Sequence, residues 1–325
     1  MSRHPYLIDL NNPNDWLYPI QLKNPDGGVG EDQRTIFMPE GKDRLFCVTD
    51  SVMHASPDRE HLMFHEHTVG WEVFFVDSGG MDIYMNGKVA YIEPGSILFI
   101  QPYEAHGMFF RADVKYRGFF HHLSNSDNST TLGMLRARDP DFMDDPEFPK
   151  ELFMHGDFGL REPPVDFAEV VPERHPNIRH RSRPMAAYEL DGVTMKMITA
   201  RWENGGSLEM WCAEMKKGFW AQWDPYPTAR EMYYITSGEV KFKVMDEEFV
   251  AKAENIVNIP RCASHSLEAL TDAVVYDMGG LPRWYAFLQD RASVKKLEPE
   301  RWAKPETVAE LKKKFGIQVK AYGIK

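Results

Sequence analysis

The stretch His65-Glu66-His67-Thr68-Val69-Gly70-Trp71-Glu72-Val73-Phe74-Phe75-Val76-Asp77-Ser78-Gly79 decides how this chain is read. Its second half returns as Glu231-Met232-Tyr233-Tyr234-Ile235-Thr236-Ser237-Gly238, a step of 159 residues. The same step separates Ile100 from Ile259 and His106 from His265. Anchors that keep one offset over such a span mark a tandem duplication. Around the first copy, short apolar runs recur at Leu45–Val48, Val73–Val76, Met81–Met85, Val89–Ile92, Ile97–Ile100 and Met108–Phe110. Turn signals separate them: Ser78-Gly79-Gly80, Asn86-Gly87, Pro94-Gly95 and Pro102. Asn-Gly between apolar runs is a hairpin signal, and many short strands at this spacing predict a sandwich or a barrel. The expected fold is all-β, with two tandem barrels.

The first copy carries the chemistry. On a strand alternate side chains share a face, so His65 and His67 point inward together and Glu66 points out. Glu72 follows a turn at Gly70 and opens the next strand, and His106 arrives from a later one. Three imidazoles and a carboxylate converging inside a barrel make a site for one divalent first-row ion. Nitrogen and oxygen donors suit Fe, Mn, Ni, Cu or Zn and disfavour thiophilic clusters.

At this point the sequence resembles the cupin superfamily. His65-x-His67-x4-Glu72-x6-Gly79 matches the first cupin motif, and Pro94-Gly95 followed by Pro102 and His106 resembles the second. With both copies counted, over roughly 40–125 and 190–280, the chain resembles a bicupin. The resemblance implies a jelly-roll barrel, also called a double-stranded β-helix, in each copy. It also implies His65, His67, Glu72 and His106 as metal ligands. One departure is that the usual Pro-x-Gly of the second motif is here Pro94-Gly95.

At the 159-residue offset His65 maps to Asp224 and His67 to Tyr226, while Glu231 and His265 persist. Tyrosine seldom serves as a ligand in this fold. The second-barrel set Asp224, Tyr226, Glu231 and His265 is therefore expected to hold no metal, with Tyr226, Glu231 and His265 satisfying one another as an inward polar network; the alternative is a second metal or ligand pocket. Around the first site, alternation from Glu72 and His106 turns Phe74, Met108 and Phe110 into the barrel. Gln101, Tyr103, Glu104 and His121 are polar candidates for its rim. The expected substrate pocket is Phe74, Gln101, Met108, Phe110 and His121. Apolar walls with a few polar groups suit a small organic molecule.

The expected division is an N-terminal barrel over 1–135, a connector over 136–185, a C-terminal barrel over 186–282 and a helical tail over 283–325. The connector holds Pro140, Pro146, Pro149, Pro163, Pro164, Pro172, Pro176 and Pro184, a density that argues against regular elements. In the tail, Trp284–Leu288 reads as a short helix. Pro305–Phe315 reads as a clearer one, with Val308, Leu311 and Phe315 on one face and Gly316 as its stop.

Composition excludes several classes. The chain has 325 residues and is 43% apolar, enough for about two domains with real cores and unlike a disordered chain. No apolar stretch is long enough to span a bilayer, and the N-terminus lacks the core of a secretory signal. Cys47, Cys212 and Cys262 are too few and too dispersed for a disulfide scaffold, so a reducing cytoplasm is expected. A net charge of −11 repels phosphate backbones, so nucleic acid is not an expected partner. The basic cluster of Arg174, His175, Arg179, His180, Arg181 and Arg183 lies in the connector without aromatic stacking partners. A homodimer is one assembly open to such a chain.

The expected function is that of a metal-dependent enzyme acting on a small organic molecule. The favoured form is a dioxygenase-type oxidoreductase. The alternatives are a non-oxidative decarboxylase, isomerase, lyase or hydrolase, and a non-catalytic small-molecule-binding bicupin. Fold alone does not choose among them.

Overall fold

The computed structural model describes residues 4–12, 15, 18–23, 29–37, 46–55, 64–121, 141, 145–206, 208–225, 230–278 and 283–325. The described chain is mostly strand, and it divides into two units: Pro13–His180, and Met1–Asn12 together with Arg181–Lys325. Among the described residues no helix is long and apolar enough to cross a membrane.

The Pro13–His180 unit holds two sheets. One runs, edge to edge, through Ile178–Arg179, Ile97–Ile100, Glu72–Ser78, Val114–His121, Phe46–Met53, Val29–Phe37 and Tyr18–Lys23. The other runs through Gly159–Leu160, His65–Glu66, His106–Phe110, Met81–Met85, Lys88–Ile92 and Ala168–Glu169. Phe74, Leu98 and Phe120 of the first sheet and Ile83, Ile92 and Phe110 of the second share one buried cluster, so the sheets pack face to face. Each such side chain contributes roughly 1.5–3 kcal/mol on burial, and this apolar sandwich holds the site residues in place. Asn86 and Gly87 both adopt positive φ in the hairpin that the sequence signals.

The other unit repeats this plan, without a counterpart of Ala168–Glu169 among the described residues. Its sheets follow the orders Leu7–Asp9, Asn255–Ile259, Glu231–Ser237, Ala273–Asp277, Met210–Met215, Val193–Thr199, Ala186–Leu190, and Glu247–Lys252, Glu239–Val244, His265–Ala269, Phe219–Trp223, Val319–Ile324. Registers recur at the 159-residue offset. Glu72 faces Ile100 as Glu231 faces Ile259, and His106 faces Met85 as His265 faces Val244. Even the bulge recurs, between Lys115 and Tyr116 and between Ile235 and Ser237 opposite Val274 and Val275. Gly79 and Gly238 have φ of 75° and 81°, and a Cβ there would lie 2.2 Å from the Asp113 carbonyl oxygen and 2.3 Å from that of Asp272. Both the conformation and the close approach require glycine.

Three sequence expectations differ from these observations. Residues 136–180 are not devoid of regular structure: they contain the helix Phe148–Gly156, a 3₁₀ turn Pro172–Arg174 and three two-residue strands. Pro149 and Pro172 lie in first turns, where a missing N–H costs nothing. The sequence places the N-terminal residues with the first barrel, yet Leu7–Asp9 pairs with Asn255–Val257 of the other unit and covers that sheet edge. The tail is helical at Trp284–Leu297, Pro299–Trp302 and Glu306–Phe315, with Gly316 as a left-handed stop, but it ends in the strand Val319–Ile324 beside Phe219–Trp223.

Candidate metal centre

Three strands and one turn place the four first-copy residues together. His65 lies in a two-residue strand and pairs across the sheet with His106, which opens its own strand. His67 follows that short strand, and the turn Thr68–Gly70 carries the chain back to Glu72 at the start of the next one. All four side chains are buried, and their ligand atoms lie within 4.8 Å of one another. Glu66 faces the other way and pairs with Arg161.

The hydrogen bonds orient the rings. His67 Nδ1–H donates to the Asp157 carbonyl oxygen at 2.6 Å, and His106 Nδ1–H donates to the Glu104 carbonyl oxygen at 2.9 Å. Each bond leaves the Nε2 lone pair aimed at the centre. Those Nε2 atoms lie 3.3 Å and 3.2 Å from Glu72 Oε1 and Oε2. Both Nε2 atoms and Glu72 Oε2 are buried without a well-formed hydrogen bond among the described residues. Buried polar groups are normally satisfied, so this converging set has the chemistry of a metal site. His65 joins it with its ring stacked on Phe158 at 3.7 Å between centroids.

Electrostatics agree with the geometry. Burial would raise the Glu72 carboxyl, but the adjacent His67 and His106 imidazoles overcome this and hold it well below the usual carboxylate range. Burial would lower the His67 imidazole, but the charge of Glu72, together with Asp157, raises it above its ordinary value. Glu72 and His67 therefore hold each other in their charged forms, and a cation bound at Nε2 would take the place of the imidazole proton.

The remaining candidates occupy different places. Phe74 and Phe110 are buried in the apolar cluster, with Met108 packed against it. Gln101 is half-buried, and its backbone N–H donates to Glu104 Oε2 at 2.9 Å. Tyr103 is exposed, with a left-handed backbone, and its N–H donates to the His67 carbonyl oxygen. His121 ends a strand, but its side chain lies outside the described residues.

The second copy corrects the sequence alignment. Trp223, not Asp224, occupies the position of His65, because Trp223 pairs with His265 as His65 pairs with His106. Trp223 stands eight positions before Glu231, whereas His65 stands seven before Glu72. A one-residue slip turns a side chain to the opposite face. Asp224 accordingly is exposed beside Lys320, and Tyr226 lies outside the described residues. Trp223 stacks on His265 with centroids 4.9 Å apart. Tyr233, the counterpart of Phe74, donates its hydroxyl to Glu231 Oε2 at 2.6 Å, and His265 Nε2 lies 2.9 Å from the same oxygen. Tyr233, Glu231 and His265 thus satisfy one another, and the only cluster of metal-ligating side chains among the described residues is that of the first copy.

Sequence reasoning missed Asp157 and Phe158, which come from the connector, and it gave Glu104 only a place at the rim. No sequence signal marked these roles: Asp157 stands 159 residues before Gly316, a different residue type, and only their shared left-handed conformation shows that the two positions correspond.

No family model and no curated protein matches the sequence. Solved structures do. A single-substitution tryptophan-to-tyrosine variant of Bacillus subtilis oxalate decarboxylase aligns with 14% identity over 92% of this chain and 85% of its own, at a TM-score of 0.53. A second structure of Bacillus subtilis oxalate decarboxylase, determined in acid, aligns with 12% identity over 92% and 84%, at 0.51. A structure describing the substrate-binding mode and reaction-specificity switch of oxalate decarboxylase aligns with 13% identity over 92% and 85%, at 0.52. The repeated registers, the paired sheets and these neighbours agree: the chain has the tandem double-barrel, or bicupin, fold.

Proposed function

We propose that this protein is a metal-dependent enzyme acting on a small organic molecule at His65, His67, Glu72 and His106. The observation that carries the proposal is the set of buried, otherwise unsatisfied donor atoms converging there while both Nδ1–H groups are engaged elsewhere. Three imidazoles and one carboxylate suit Fe, Mn, Ni or Zn. When bound, such an ion supplies Lewis acidity and open coordination positions for a carbonyl or carboxylate group. Glu72 holds its proton weakly and so presents a carboxylate over a wide pH range. Phe158, stacked on His65 and edge-on to His67, covers these two rings with an apolar face. Apolar walls around a polar centre strengthen electrostatic contacts to a bound acid.

Non-oxidative breakdown of a small carboxylate is supported by the oxalate decarboxylases that share the fold. The dioxygenase-type reading has a support of its own in the aromatic ring of Phe158 against His65 and His67. Cys212 and Cys262, which form no disulfide, fit a reducing cytoplasm.

The test is metal analysis of chain purified without chelators, followed by a screen of small mono- and dicarboxylates and catechols. Carbon dioxide release without net oxygen uptake supports the non-oxidative reading. Stoichiometric oxygen uptake supports the dioxygenase. Ligand binding without turnover makes the protein a binding module, and absence of any bound metal overturns the proposal.

A further inference from the structure

We propose that Asp157 and Glu104 are positioning residues that hold the two ligand-bearing turns of the metal centre. The inference rests on the metal-site reading above. The duplication supplies the control: at the same 159-residue offset these two carboxylates become Gly316 and Ala263 in the copy whose donor set is incomplete.

Asp157 follows the helix Phe148–Gly156 in a left-handed conformation with φ of 54°. Its carbonyl oxygen accepts the His67 Nδ1–H. Its carboxylate takes up every donor of the turn that joins His67 to Glu72. Oδ1 accepts the Thr68 N–H at 2.9 Å and the Thr68 hydroxyl, and Oδ2 accepts the Val69 N–H at 2.8 Å and the Gly70 N–H at 3.0 Å. One residue therefore fixes the ring of one ligand and the backbone leading to the next. Only an ionised carboxylate offers acceptors to four donors at once. Burial works against that ionisation, but the Thr68, Val69 and Gly70 donors outweigh it.

Glu104 repeats the device on the other turn. Its carbonyl oxygen accepts the His106 Nδ1–H. Its Oε1 accepts from Asn86 Nδ2 at 3.0 Å, and its Oε2 accepts from the Gln101 N–H and from Asn177 Nδ2. Asn177 is buried and also donates to the Phe99 carbonyl oxygen. These bonds tie the His106 turn to the hairpin at Asn86 and to the segment carrying Asn177. In the second copy the Ala263 carbonyl still accepts from His265 Nδ1, at 3.3 Å, but an alanine side chain cannot anchor the turn. The αL conformation survives at Gly316 and at Cys262, the counterpart of Tyr103. The backbone plan was thus retained while both carboxylates were replaced.

The metal-affinity arm uses the full chain, stripped and reloaded with Co(II), whose visible absorption reports ligand geometry. Asp157→Gly keeps the left-handed turn and the carbonyl bond to His67 while removing the carboxylate. Glu104→Gln keeps the shape but loses one of its acceptor oxygens. The expected result is Co(II) affinity, measured by chelator competition, reduced about 10–100-fold in Asp157→Gly and about tenfold in Glu104→Gln, with an altered absorption spectrum in each. Asp157→Asn, retaining one acceptor oxygen, should fall between wild type and Asp157→Gly. Affinities within about twofold of wild type and unchanged spectra, in chain that binds one Co(II), would overturn the positioning role and leave the metal site standing. Wild-type chain that binds no Co(II) would overturn both.

Discussion

Trp223 stands where His65 stands: each faces the final histidine of its own repeat across an antiparallel pair, Trp223 opposite His265 and His65 opposite His106. One side chain offers a lone pair to the centre of its barrel, and the other offers an apolar indole face. The difference converts a set of converging donors into a packed wall. The hydroxyl of Tyr233 then meets the carboxylate that would otherwise be left without its ligand partners.

Metal content follows from that contrast. Elemental analysis should give about one divalent ion per chain, and His65→Ala with His67→Ala should abolish it. Two ions per chain, or binding that survives the double substitution, would contradict the assignment. Because only the folded state presents the four donors together, chelation should lower the melting temperature, by an amount that grows with metal concentration. The affinity should also weaken as pH falls, beginning above about 6.5, because the His67 imidazole, raised above its ordinary value, takes up a proton in competition with the ion.

Tyr233→Phe should cost stability without changing metal content. The substitution installs the residue that the first copy carries as Phe74, but it removes a hydroxyl donor from the buried Glu231 carboxylate. A loss of about 1–3 kcal/mol in denaturant unfolding is expected. A neutral result would mean that His265 alone satisfies Glu231.

Gly79→Ala and Gly238→Ala should each destabilise the fold by more than about 1 kcal/mol, and by similar amounts. Both positions have positive φ, and in both the added methyl would press on the carbonyl oxygen of an aspartate at the start of the adjacent strand. Thermal melts of the pair test whether the two turns are equivalent. A tolerated substitution at either one would break the equivalence.

His175 should make stability sensitive to mild acid. Burial, and then the nearby Lys88, push its imidazole down to about 4. An unfolded histidine takes up its proton near 6.5, so between about 6.5 and about 4 the unfolded chain binds more protons than the folded one. The contribution is present above the unfolded value and is lost as pH falls through this window. Denaturation midpoints measured from about pH 7 to about pH 4 should fall more steeply in wild type than in His175→Gln. Identical slopes would exclude His175 as the source.

The sequence by itself determined the duplication, the all-β class and the membership of the cluster of His65, His67, Glu72 and His106. Each of these rests on local signals: strand alternation, hairpin dipeptides, and glycines that only one backbone conformation explains. Glu72, Gly79 and His106 keep their offset to Glu231, Gly238 and His265 because residues inside a paired strand cannot shift without turning every side chain to the wrong face. Only the tertiary structure decided which residue replaces His65, because the one-residue difference falls between Trp223 and Glu231 and shows only in the pairing of Trp223 with His265. It likewise decided that Leu7–Asp9 covers the edge of a strand at Asn255–Ile259, and that Asp157 and Glu104 brace the ligand turns. Asp157 lies 90 residues from His67 in sequence, and the hydrogen bond between them spans that distance. A contact of that kind leaves no periodicity to read: it exists only once the helix Phe148–Gly156 and the strand after it are folded against His65 and His67.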